Sequence, residues 1–136
     1  MSKANLKSTK HAVYDINYHI VWCTKFRHEV LTGPVEVAAK QIIGQTCRNY
    51  GWLLSEVEIM PDHVHILVSA PPTESPNNIA STLKSISAVH LFTKFHNLKK
   101  GKFWGTGLWS SSTFYGTVGN TDESIIRNYI QNQKKR

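Results

Sequence analysis

Two histidines two residues apart, His63 and His65, are the first residues of this chain whose spacing could do chemistry. They flank Val64 inside an apolar run, with Ile59 and Met60 before and Ile66, Leu67 and Val68 after. Such a run reads as a β-strand, and side chains two apart on a strand share a face. Two imidazoles on one face make a platform for a metal ion or a pair of phosphate-contacting donors. The plainer alternative is two histidines hydrogen-bonded at a sheet surface. Near the end of the chain, Tyr129 and Gln133 lie four apart among Ile125, Ile126 and Ile130, a helical spacing that stacks them on one face. A tyrosine can attack phosphorus and form a covalent intermediate. A glutamine amide oxygen could complete a metal site that the histidines begin. Here too a plain reading stays open: an amphipathic tail helix with Tyr129 at the rim and Gln133 in solvent.

A third stretch, residues 99–109, interleaves Lys99, Lys100 and Lys102 with Phe103, Trp104 and Trp109. Cations among aromatics suit single-stranded nucleic acid, where bases stack on rings and phosphates meet lysine. The same residues could form a loop whose tryptophans tuck back onto a sheet edge. Lys25, Arg27 and the Lys134-Lys135-Arg136 tail could extend a basic surface. Cys23 and Cys47 have no evident activating partner and read as structural.

The whole composition agrees with an anionic partner. Sixteen Lys and Arg against nine Asp and Glu leave a formal charge of +7 over 136 residues, which favours a polyanion such as nucleic acid. Apolar residues at 40% and charged residues at 18% describe a globular chain. The length suits one domain, residues 1–136. No apolar stretch approaches the ~20 residues that span a bilayer, the first residues lack a secretory pattern, and two cysteines make neither a disulfide framework nor a zinc spacing. The expectation is an intracellular protein with no membrane segment.

The elements that must position these residues follow from periodicity. Val13 to Cys23 alternates, with Tyr14, Ile16, Tyr18, Ile20 and Trp22 on one face and Asp15, Asn17 and His19 on the other, as a strand does. The first dozen residues read as a loose arm. Pro34 and Gly51 bracket a first helix, and Trp52 to Met60 and His63 to Ser69 form a hairpin about Pro61-Asp62. Ser75-Pro76 opens a second helix with Ile79, Leu83, Ile86, Val89 and His90 at helical spacing. Leu98 to Ser112 reads as an exposed loop, Thr113 to Val118 as a strand, and about 121–134 as a last helix with an Asn120/Glu123 capping box. The order is β-α-β-β-α-β-α. Its first six elements match an α+β, ferredoxin-like or RRM-like antiparallel sheet with both helices on one face. The other face is then free for a ligand, with His63 and His65 on a central strand.

Taken together, three segments resemble the small single-tyrosine HUH transposases of bacterial and archaeal insertion sequences, which move as single-stranded DNA. They are Tyr18 to Arg27 (YHIVWCTKFR), Met60 to Leu67 (MPDHVHIL) and Tyr129 to Gln133 (YIQNQ). The resemblance implies a DNA cleaving and rejoining enzyme with Tyr129 as nucleophile, a 5′-phosphotyrosine intermediate, and His63, His65 and Gln133 holding Mg²⁺ or Mn²⁺. It also implies subterminal DNA hairpins as the recognised element and a homodimer in which the tyrosine helix of one copy can serve the other, with Gly116 and Gly119 as hinge. A prokaryotic, cytoplasmic, nucleoid-associated protein is expected. From side-chain chemistry, Lys25, Arg27, Lys99, Lys100, Lys102 and Trp104 are the candidates for DNA contact.

Four other readings compete. A non-catalytic single-strand binder on an RRM-like sheet would carry an aromatic Gly-Phe signature where His63-Val64-His65 stands. A relaxase or replication initiator is normally larger, and a two-histidine phosphoesterase needs a second His-x-Thr or His-x-Ser, which is missing. A domesticated relative that processes repeated palindromes stays open.

Overall fold

The computed structural model describes residues 7–8, 13–14, 16–101, 103, 106–117 and 123–133. In chain order the elements are β1 (Lys7–Ser8), β2 (Val13–Tyr14), β3 (Asn17–Cys23), α1 (Gly33–Tyr50), β4 (Leu53–Met60), β5 (His63–Ser69), α2 (Pro76–Lys94), α3 (His96–Lys100), β6 (Phe114–Thr117) and α4 (Glu123–Gln131). Four strands form one antiparallel sheet in the order β4-β5-β3-β6. The first and third strands of the βαββαβ unit, β3 and β5, are therefore central, as that topology requires.

Alternation decides what each strand buries. Ile20 and Trp22 of β3 and Val64, Ile66 and Val68 of β5 are shut into one core with Ala38, Ala39, Ile43 and Cys47 of α1 and Ile79, Ala80, Leu83 and Leu91 of α2. Both helices thus cover one face. Gly51 ends α1 in the left-handed region at φ 75°, where a side chain would be strained. Ser75 caps α2 by accepting a 3.0 Å hydrogen bond from the Asn78 amide, with Pro76 in the first turn.

Several expectations need correction. The alternating run from Val13 is split: Val13–Tyr14 pairs with Lys7–Ser8, expected in a loose arm, as a separate two-stranded ribbon. The buried line of α2 runs through Ile79, Leu83, Ser87 and Leu91, while Val89 and His90 are exposed. Ser87 belongs there because its hydroxyl lies 3.0 Å from the Trp109 indole nitrogen, which also donates to the Lys84 carbonyl at 3.1 Å.

The segment expected as an exposed loop gives three residues to the core, Phe103, Leu108 and Trp109, while Lys99, Lys100, Gly107, Ser111 and Ser112 stay exposed. α3 occupies its start, Phe103 and Leu108 are fully buried, and Trp109 meets Trp22 edge to face at 5.9 Å. Residues 108–110 extend the sheet beyond Cys23: Lys25 N–H donates to the Leu108 carbonyl and Ser110 N–H to the Cys23 carbonyl. Gly116, one of the two glycines expected as a hinge, sits within β6 opposite His19. Asn120, Gly119, Lys102, Trp104 and the basic tail from Lys134 lie outside the described residues. Among the described residues no helix is long and apolar enough to cross a membrane.

Candidate functional site

Because Val64 points into the core, His63 and His65 lie on the sheet face away from α1 and α2. Cys23 and Met60 stand opposite His63, and Val21 and Glu58 opposite His65. The turn before β5 sets the first imidazole. Asp62 Oδ1 lies 2.8 Å from His63 Nδ1, and its Oδ2 accepts from Arg27 Nε at 3.0 Å and Arg27 Nη2 at 2.9 Å. Backbone bonds hold that turn in place, from the Thr24 amide to the Asp62 carbonyl and from the Leu31 amide to the Pro61 carbonyl. Burial works to raise the Asp62 pKa, but the bonds to His63 and Arg27 outweigh it and hold the carboxyl below its ordinary range.

Arg27 reaches Asp62 from an unusual backbone. Phe26 and Arg27 both adopt positive φ, 60° and 55°, a conformation that costs a non-glycine residue on the order of 1–3 kcal/mol. The ion pair to Asp62 and the Arg27 amide bond to the Thr24 carbonyl, at 2.9 Å, fix this strained corner. The second imidazole has a different partner: His65 Nε2 lies 3.0 Å from His19 Nδ1. Burial first, then the neighbouring His19, lower the His65 pKa, so it is held neutral, the form in which a ring nitrogen keeps a free lone pair.

On the same side of the sheet, α4 brings up the tyrosine. The Tyr129 hydroxyl lies 3.0 Å from Ser112 Oγ, and its ring meets Phe114 of β6 at 5.6 Å. Burial pushes the phenol above its ordinary pKa, and the Ser112 bond pulls it part of the way back. One turn on, Gln133 reaches back so that Nε2 donates to the Tyr129 carbonyl at 3.4 Å. Gln133 also lines a cleft of about 340 Å³ together with Lys25, Phe26, Arg27, Ser110 and Ser112. Ser112 therefore belongs both to the tyrosine and to the cleft. Among the described residues no three His, Cys, Asp or Glu side chains gather as a metal cage.

The sequence-derived candidates divide accordingly. Lys25, Arg27 and Gln133 share the cleft, Tyr129 borders it through Ser112, and His63 connects to it through Asp62 and Arg27. Lys99 and Lys100 are exposed on α3 and do not line it; Lys99 Nζ sits over the Phe92 ring at 5.7 Å. Both cysteines are buried thiols pushed up to about 11 by burial, in keeping with a structural role. Sequence reasoning gave no role to Asp62, His19, Ser112 or Lys84. Strand parity had put His19 on the face opposite Ile20 and Trp22, and the register of β3 with β5 shows that this is the face of the histidine pair. Ser112 and Lys84 carried no such signal.

Residues 12–133 match the family described as "Transposase IS200 like". The chain belongs to the IS200-like transposase family. The ISDra2 transposase TnpA of Deinococcus radiodurans is 37% identical over 128 residues, covering 94% of this chain and 91% of its own. The IS200 transposase of Salmonella typhimurium is 30% identical over 127 residues, covering 93% and 82%. In three dimensions the chain is similar to a crystal structure of a Deinococcus radiodurans protein described as a transposase, with a TM-score of 0.88, 35% identity, and 96% and 99% coverage. It also shares a fold with a REP-associated tyrosine transposase bound to a REP hairpin, at a TM-score of 0.55 and 14% identity, covering 91% and 67%. IS200-like transposases act on DNA, and the basic charge of this member accords with that partner.

Proposed function

We propose that residues 1–136 form one catalytic domain that cleaves and rejoins single-stranded DNA at insertion-sequence ends, with Tyr129 as the nucleophile. The observation that carries this reading is the Tyr129 hydroxyl held by Ser112 at the edge of the cleft that Gln133, Lys25 and Arg27 line. The Tyr129 hydroxyl oxygen attacks the scissile phosphorus and forms a P–O bond, giving up its proton to solvent. The bond to the 3′-oxygen breaks, and that oxygen leaves with the electron pair and gains a proton as a free 3′-hydroxyl. The 5′ side stays on Tyr129 as a phosphotyrosine, and attack by a 3′-hydroxyl reverses the step, so no nucleotide cofactor is consumed.

His63, His65 and Gln133 are the proposed holders of Mg²⁺ or Mn²⁺. The donor chemistry fits: a carboxylate behind His63 Nδ1 orients that ring and leaves Nε2 for the ion, and His65 is held neutral. A bound divalent cation would supply polarisation of the scissile phosphate. Lys25 meets DNA phosphate in this reading, whereas Arg27 already gives two N–H groups to Asp62 and acts mainly by fixing the corner. Lys99, Lys100, Lys102 and Trp104 remain candidates for more distant DNA contact. The proposal includes a DNA hairpin as the recognised element and a homodimer in which α4 of one copy can serve the histidines of the other. The REP-associated transposase of the same fold is itself bound to a hairpin.

The test uses end-labelled single-stranded DNA from the flanks of the gene, hairpins intact, with Mn²⁺ or Mg²⁺. A denaturing gel should reveal a protein–DNA adduct that disappears with chelator, with duplex DNA and with Tyr129→Phe. Hairpin binding with no adduct under either metal would replace this reading with a non-catalytic binder.

A further inference from the structure

The histidine pair has a third member. Residue 19 lies two positions before Val21, the cross-strand neighbour of His65, so His19 is a diagonal neighbour of His65 on the free face of the sheet. Its strand neighbour on the other side, Gly116, adds no side chain beside it. The two rings come together with centroids 5.2 Å apart and a 3.0 Å contact between His19 Nδ1 and His65 Nε2. Each imidazole of the pair is therefore backed by a different group, His63 by a carboxylate and His65 by another imidazole.

Resting on the metal reading above, we propose that His19 is a positioning residue that fixes the ring orientation and tautomer of His65. A neutral imidazole has one N–H and one lone pair, and a metal takes the lone pair. With Nε2 facing His19, the nitrogen left for the ion is Nδ1, so the proton must sit on Nε2 and be donated to His19 Nδ1. His19 then carries its own proton on Nε2. The two ligands thus present different ring nitrogens, Nε2 from His63 and Nδ1 from His65. Partners of this kind hold ligands in place, and their loss typically weakens metal binding about 10- to 100-fold.

Two measurements on the full chain test this without reference to cleavage. Nitrogen-15 NMR of the metal-free wild type should show His65 as the Nε2–H tautomer; the Nδ1–H tautomer would overturn the assignment. Mn²⁺ titration followed by electron paramagnetic resonance should show His19→Leu binding about 10- to 100-fold more weakly. His19→Asn, whose amide can stand where Nδ1 stands, should recover most of that loss. Wild-type binding that His63→Ala abolishes but His19→Leu leaves unchanged overturns the role of His19 alone. A wild type that binds no Mn²⁺ at this site overturns the metal reading and this inference with it. The Nδ1–H tautomer in the wild type would overturn the assignment even if a variant fails to fold.

Discussion

Lys84 supports the tyrosine from the opposite side of the sheet, and its replacement by methionine makes a quantitative test. Its ammonium donates to the Ser110 carbonyl at 2.8 Å, to Thr113 Oγ1 at 3.1 Å and, more weakly, to the Ser112 carbonyl at 3.4 Å. Burial pushes the ammonium below its usual pKa, so desolvation offsets part of what these bonds contribute. Hydrogen bonds from a charged donor contribute roughly 1.5–3 kcal/mol each before such an offset. With two good bonds, one long one and that cost, Lys84→Met should destabilise the fold by about 1–3 kcal/mol. The Trp109 indole bond goes to the Lys84 backbone carbonyl and survives the change, which confines the damage to residues 110–113. For a chain of this size each kcal/mol lowers Tm by roughly 3–5 °C, so calorimetry should register a drop of several degrees. Amide exchange should quicken at Ser112 and Thr113. Because Ser112 holds the Tyr129 hydroxyl, the rate of adduct formation should fall further than hairpin affinity does. An unchanged Tm with unchanged exchange at 110–113 would refute the reasoning.

Asp62→Asn removes the charge shared by Arg27 and His63 and should cost about 1–3 kcal/mol at neutral pH by urea unfolding. Since the Asp62 pKa is held low in the fold, this contribution is present above the ordinary carboxylate range and lost as pH falls through the folded value, so variant and wild type should converge in acid. Cys23 and Cys47, each raised from 9.0 to about 11, should resist iodoacetamide in the native chain at pH 8, where roughly one thiol in a thousand is ionised, and label readily in denaturant. The same shifts keep both thiols protonated in the fold, so their contribution to stability is full below pH 9 and lost as pH climbs through about 11. Gly51→Ala forces a side chain into the left-handed cap at φ 75° and should lower stability by about 1 kcal/mol in the same urea assay.

The sheet and the histidine pair were legible because they depend on local pattern. His63 to Ser69 lies in a short apolar run bounded by the Pro61-Asp62 turn, Pro34 and Gly51 punctuate α1, and Ser75-Pro76 caps α2, so the strand and helix limits agree with the structure closely. What escaped depends on contacts distant in sequence. The sequence left open whether the tryptophans of 99–109 tuck back onto the sheet edge; Trp109 does, because pairing with the end of β3 draws it and Leu108 into the core. Ser87 looks polar in sequence yet lies on the buried line of α2 because an indole 22 residues away needs an acceptor. Likewise, nothing local to Ser112 says that a phenol 17 residues on will meet it. Asp62 announced a turn, but its two partners come from either side of it, His63 next to it and Arg27 across 35 residues.

The most direct test of the central claim is to locate the covalent bond. The chain is incubated with Mn²⁺ and its hairpin-bearing single-stranded DNA, the DNA is trimmed by nuclease, and tryptic peptides are analysed by mass spectrometry. Cleavage after Arg127 and Lys134 isolates Tyr129 as the single tyrosine of peptide 128–134. That peptide should carry a nucleotide joined through its 5′-phosphate to the Tyr129 oxygen. A remnant on any other residue, or an adduct that persists in Tyr129→Phe, would contradict the assignment of the nucleophile.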